Sequence, residues 1–540
     1  MRALLARASR VVSGKTAKAA KTAKAPLVES LESRQLLSTY YVSSSGSDSA
    51  SGTSTGSAWR STARVNSATL KSGDKVLFQG GKSFSGSLAL NSKETGVTFS
   101  TYGSGRATIS SGSKTAFDLG QTSGINISNL NIVGNGMYSN SSFGIYVHAD
   151  GGRHVSGFNF SNLDVHGYGR EGIRFVAGGS GTQVNNVKVT NVDSHDNKWG
   201  GVKANAPGIS QMYNYTIDHV KVWNNYGDRG DGGVTGNGIM LEGVYNAKIS
   251  RSVAHHNGKD GAAPVGIWGA RGHNITIEYC ESYANNTRTA TDGGGFDYDW
   301  DVKNSTIQYC YSHDNAGPGF ILAGGSHLNS GNTIRYNVSQ NDGRENGRAG
   351  MQIWGNVQNC NIYNNTVYIT PTGNSNTAGF YAHDGGGVPK PKNVNVYNNV
   401  FYTTGGVKLL NISNGVAATS GSLNFRGNCY YSGGNSFKIQ WGGSSYSSLT
   451  AWRSAKGQEK LNGSSTGYQG DPKFVAAGKG QTIGNADSLR SLTAYKLQSS
   501  SPLINKGVSQ PGTLAGATID FWGDSLPKGG KYDIGVDEVA

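Results

Sequence analysis

The chain has 540 residues, with 81 glycines, 11 prolines and a formal net charge of +14. High glycine without a G-X-Y period excludes collagen, and a charged fraction of only 15% excludes a coiled coil or a charged disordered chain. Hydrophobic residues reach 36%, which suits a thin, elongated core, and no run approaches the ~18 apolar residues of a membrane span. Four cysteines without C-x-x-C spacing make neither a disulfide framework nor a zinc site. Eight basic and two acidic residues fall within 1–38, so the rest is only mildly basic. No basic stripe points to nucleic acid, whereas a mild cationic excess suits an anionic polysaccharide.

Residues 1–26 alternate Ala with Lys or Arg and read as disordered; their apolar runs are too short for a secretory h-region. Residues 31–38, LESRQLLS, resemble the LEPRxLLS motif near the N-termini of large exported planctomycete proteins, with Ser33 where that motif has Pro. The resemblance implies a leader over 1–38 and an extracellular or cell-envelope location. Residues 39–96 read as an N-terminal cap and first coil. A strand at Tyr40–Ser43 leads into a Ser/Gly loop, Trp59–Leu70 has helical spacing, and Val76-Leu77-Phe78 opens the next strand.

From residue 97 to 440 one phrase recurs: apolar, x, apolar, x, x, small or Asn. Anchored on its second apolar residue, it falls at Phe99, Ile127, Phe160, Val189, Ile217, Ile249, Ile277, Ile307, Ile334, Ile362, Val396 and Phe425, in steps of 27 to 34 residues. Such a period marks a solenoid, and alternation at period two makes its unit a strand. Three residues past the anchors, Asn337, Asn365, Asn399 and Asn428 are expected to stack as an internal file, with Cys280 and Cys310 as small fillers further back. Each coil adds a second strand after a turn, and residues 441–540 are read as a capping tail.

These repeats, with SPLINKG at 501–507 and YDIGVDE at 532–538, resemble the right-handed parallel β-helix, pectate-lyase-like superfamily over residues 40–540. The resemblance implies an all-β right-handed parallel β-helix of about 12 coils, with an N-terminal helical cap and a C-terminal capping tail. Proteins of that fold include lyases, hydrolases, epimerases and adhesins, so activity must be argued from the site.

Projected onto stacked coils, the outward positions of the second strand form two columns. One reads Arg174, Lys203, Met240, Trp268, Asp297, Ile321, Gln352, Tyr381, Lys408; the other Val176, Asn205, Glu242, Ala270, Asp299, Ala323, Trp354, His383. Aspartate is depleted in strands, so outward Asp297 and Asp299 ask for a function. Aromatic Trp268, Trp354 and Tyr381, with Gln352 and Lys408, suit sugar binding.

Three readings follow. In glycoside hydrolysis Asp297 and Asp299 act as acid and base, with Glu242 as a third carboxylate. In β-elimination Asp297, Asp299 and Asp301 hold Ca²⁺, a hard ion that takes carboxylate oxygens, while Lys203, Arg174 or His383 removes a proton. In the third the face is a non-catalytic surface or adhesion site for polysaccharide. No NTD or GHG motif of the polygalacturonases is found. Recurring His166, His195, His255 and His313, with Trp223 and Tyr283 between them, read as a structural stack. The expected protein is a monomeric polysaccharide-acting enzyme, lyase or hydrolase, with binding alone as the alternative.

Overall fold

The structure, a computed structural model, describes residues 37–208, 211–509 and 516–539. All but the last two residues of LESRQLLS lie outside them. The chain winds as a right-handed parallel β-solenoid of about 12 turns. From Phe99 to Phe425 every anchor pairs with the next in parallel register, for example Phe160 with Val189, Ile277 with Ile307 and Val396 with Phe425. The column continues toward the N-terminus through Val76 to Tyr40, so coils begin earlier than the repeated phrase shows. Their residues are the core: Val76, Phe99, Ile127, Phe160 and Ile277 are fully buried. Burying each such side chain contributes roughly 1.5–3 kcal/mol, which stacking repeats at every turn.

The corners explain the rest of the phrase. Two residues past the anchors, Asn129, Asn162, Asn191, His219, Arg251, Tyr279, Tyr309, Tyr336, Asn364 and Asn398 take φ between +46° and +56°. This left-handed bend aims the following side chain inward and removes its backbone N–H from the strand ladder. Asparagine repairs the loss. Asn365 Oδ1 accepts from the Asn337 backbone N–H at 3.0 Å, and Asn365 Nδ2 donates to Ile334 O at 3.0 Å and Asn399 Oδ1 at 2.9 Å. The expected file therefore forms, and it ends on a carboxylate, Asn428 Nδ2 donating to Glu459 Oε1 at 2.7 Å. A second file runs at the next corner through Asn225, Asn257, Asn285 and Asn315, and ends on Asp342 Oδ1 at 2.8 Å. Each of its members follows a second left-handed residue, Asn224, His256, Ala284, Asp314 and Asn341. Outside it the expected ring stack is present, with His195 on Trp223 at 4.1 Å and Tyr283 on His313 at 4.8 Å between centroids. Cys280 and Cys310 are buried free thiols.

Two expectations about the ends change. The helix is only Thr62–Asn66, because Trp59 is fixed in a parallel bridge with Val42 and is buried there. The C-terminal region is more than a cover for the last coil. Helix Leu449–Lys456 packs buried Trp452 against Phe425, Tyr430 and Trp441. Beyond it the tail returns along a flank of the coils, where Phe474, Tyr495, Leu503, Phe521 and Ile534 share a core with Tyr311, Val338 and Val400. Hydrogen bonds from His219 Nε2 to Asp487, from Ile483 N to Glu281 and from Val508 N to Asn398 mark its path.

Candidate active site

Fourteen strands form the sheet that carries the second strand of each coil. Its register puts Met240, Trp268, Asp297, Ile321 and Gln352 in one column, and Glu242, Ala270, Asp299, Ala323, Trp354 and His383 in the other, as the sequence implied. Loops from the preceding corners fold over this face. They bring Val234, Ala263, Thr291 and Asp292 above it and close a cavity of about 590 Å³. The cavity runs from Lys203 to His383, six rung steps or about 29 Å, with Asp299 in the middle.

Asp292 is the residue that sequence reasoning missed. It sits in the left-handed region at φ 54°, which Asp tolerates, and Gly293 follows at φ 74°. Gly293 N–H donates to Pro264 O at 2.8 Å, which pins this turn as it enters strand Gly294–Asp299. The strand then delivers Asp299 to the same cavity by simple alternation. Burial pushes Asp292 up to about 6 against the pull of the Arg348 guanidinium. Asp299 is raised well above the usual carboxylate range, by burial first and then by the charge of Asp292; the Trp300 N–H at 2.9 Å and Arg271 oppose this. The Asp-Gly-Gly-Gly run was the one available signal, since a polar residue before three glycines marks a tight corner beside the strand.

The remaining residues divide. Lys203, Glu242, Trp268, Asp299, Gln352, Trp354 and His383 line the cavity, joined by Trp300 and Arg348. Glu242 is already engaged, accepting from Arg271 at 3.0 Å and Asn205 at 2.6 Å. Burial, then Arg174 on the neighbouring rung, holds the Lys203 ammonium below the ordinary lysine range. Burial lowers His383 to about 4, with Arg348 adding to it, so its ring is neutral above that pH. Gln352 is buried with Oε1 unpartnered and Nε2 3.4 Å from His383 Nε2. Trp300 and Trp354 meet across Gly325, where an added Cβ would lie 3.4–3.6 Å from both rings.

Five expectations are corrected. Asp297 lies beside Trp268 and Ile321 on adjacent rungs, is 1% exposed and does not line the cavity; its Oδ1 has no partner, and burial drives the group strongly toward its protonated form. Arg174 lies beyond the cavity and pairs with Glu171 at 2.6 Å. Tyr381 stacks on His383 at 4.8 Å instead of lining the cavity. Lys408 is out of register, since it pairs with Ala378 while Asn411 continues from Tyr381, and its Nζ donates to Ser375 O. Asp301 follows the strand at φ 58° and pairs with His327 at 3.0 Å. Asp297, Asp299 and Asp301 thus do not converge as calcium ligands. Among the described residues no group of three His, Cys, Asp or Glu is placed to hold a metal ion.

No protein-family model matches the sequence. Over 170 residues the chain is 31% identical to a lacto-N-biosidase of Bifidobacterium longum subsp. longum, a match covering 29% of this chain and 10% of that protein. The chain thus matches only a tenth of the length of this curated relative. Among solved structures, a GH136 lacto-N-biosidase from Eubacterium ramulus aligns with a TM-score of 0.46 and 19% identity, over 69% of this chain and 65% of that one. A pectate lyase, Pel9A, aligns with a TM-score of 0.42 and 14% identity, over 93% and 96%. No helix among the described residues is long and apolar enough to cross a membrane.

Proposed function

We propose that the protein is a glycoside hydrolase whose acid and base are Asp299 and Asp292. The observation that carries this reading is that two carboxyl groups share one aromatic-walled cavity while their surroundings push their proton affinities apart. Arg348 favours ionisation of Asp292, and the resulting charge keeps the proton on Asp299. Asp299 gives that proton to the glycosidic oxygen as the bond to the anomeric carbon breaks. Asp292 either attacks that carbon or takes a proton from water, and the anomer first formed distinguishes the two.

Trp300 and Trp354 offer ring faces to the sugar, and unpartnered Gln352 Oε1 offers an acceptor to a hydroxyl. Lys203 and Arg348 on the same walls suit a glycan carrying a carboxylate or sulfate. The local likeness to a lacto-N-biosidase supports hydrolysis. The LESRQLLS segment supports export, and the protein is expected to act as a monomer on polysaccharide or long glycans outside the cell.

A panel of neutral and anionic glycans incubated with the full chain tests the reading. New reducing ends without ultraviolet-absorbing unsaturated products are expected, and both Asp292→Asn and Asp299→Asn should abolish them. Unsaturated products would establish elimination instead, and no product from any glycan would leave binding as the function.

A further inference from the structure

The sheet face that carries the cavity does not end at Lys203. One column continues from Lys203 through Arg174 to Tyr146 and Asp118, the other from Asn205 through Val176 to His148. On these N-terminal coils Tyr146 and His148 join Phe143 in a row of rings. Phe143 stacks on Tyr146 at 4.4 Å and 10°, and Tyr146 on His148 at 4.4 Å and 22°. The Arg170 guanidinium extends the stack, 5.4 Å from the Phe143 ring centre and 4.3 Å from that of Trp199. Phe143, Tyr146, His148, Arg170 and Trp199 are all partly exposed. His148 Nε2 is fixed by Asp118 Oδ1 at 3.0 Å.

A second hollow, of about 330 Å³, adjoins this strip. Asp118 itself lines it with Ser87, Ser113, Lys114, Thr115 and Ser142, the last being the residue before Phe143. Partly exposed rings held in a fixed row beside a hydroxyl-rich hollow match the two surfaces of a sugar, whose C–H groups pack on aromatic carbon and whose hydroxyls take hydrogen bonds. The paired strands here leave no free sheet edge for an added peptide strand. Asp118 and the lack of a basic row are unsuited to nucleic acid. The strip also lies in line with the cavity, His148 being five rung steps, about 24 Å, from Asp299 along one column.

We propose that the Phe143–Tyr146–His148 strip and the hollow beside it form a second glycan-binding site, which holds the uncleaved part of a long glycan whose reacting end lies in the cavity. The ligand class rests on the glycan reading of the cavity, but binding at the strip requires no chemistry there.

Affinity electrophoresis of the full chain through gels containing pectin, alginate, xylan or mucin tests the site. At least one polymer should retard the protein, and Asp299→Asn should leave most of that retardation. The double variant Phe143→Ala/Tyr146→Ala should weaken it at least five-fold, with an unchanged circular dichroism spectrum. Asp118→Asn, which replaces the carboxylate that holds His148 and lines the hollow, should also weaken it. If the cavity cleaves nothing, retardation that depends on the strip still stands, so the two proposals fail separately. Retardation by none of the polymers, equal retardation of the ring variant, or loss of retardation in Asp299→Asn alone would overturn the second site.

Discussion

Two columns of polar residues run along the same solenoid and are treated in opposite ways. Inside, Asn337, Asn365, Asn399 and Asn428 are fully buried, and every amide finds partners on the neighbouring rungs. On the cavity face, Gln352 Oε1 is buried without a partner, and Asp299 has its proton affinity raised. Satisfied polar groups fix one corner geometry and add stability, whereas unsatisfied ones cost stability and leave capacity for a ligand. The comparison separates polar residues that hold the fold together from those kept available for chemistry.

The largest effect that would break it is at the carboxyl pair. Asp299→Asn should lower turnover of glycosides with poor leaving groups by about 10²–10⁴-fold and spare aryl glycosides with good ones, since only the former need the acid. Asp292→Asn should lose both substrates, and initial rates on the two classes test the assignment. Next in size is the interior file. Asn365→Ala leaves several buried groups unmatched and should cost roughly 2–3 kcal/mol, read as a lower Tm. Gln352→Ala should leave Tm nearly unchanged and raise KM. The smallest effect concerns the carboxylate at the end of the second file. Burial raises Asp342 to about 6 from an ordinary 3.8, so its contribution is present below 3.8 and lost as pH rises through about 6. Asp342→Asn should therefore gain Tm relative to wild type between pH 4 and pH 7, and an unchanged difference would show that Asp342 does not titrate in this window.

Much of the fold was legible because the repeat carries its own register. An alternating pair of apolar residues every 27 to 34 positions suffices to stack Ile277 on Ile307, and the asparagine at the third place reveals the file. The early strands at Tyr40 and Val76 were read as cap and first coil, but their loops break the period and kept them out of the repeated phrase. Lys408 was misplaced because it was counted from the glycine pattern, while its strand enters three residues off that count, so that Asn411 and not Lys408 continues the column from Tyr381. The left-handed corners were hidden too, since Arg251, Tyr279 and Tyr336 occupy them as well as Asn.

The sequence alone determined the rod of stacked coils, its asparagine file and the face on which Asp299 and Trp354 lie, because period-two alternation and a near-constant coil length are local properties. Only the tertiary structure decided which aspartates share the cavity. Loops from three successive corners close over the sheet and bring in Asp292. The neighbours of Asp297 meanwhile shut it away from solvent. Such enclosure depends on how separate loops pack over one another, and no spacing along the chain encodes it.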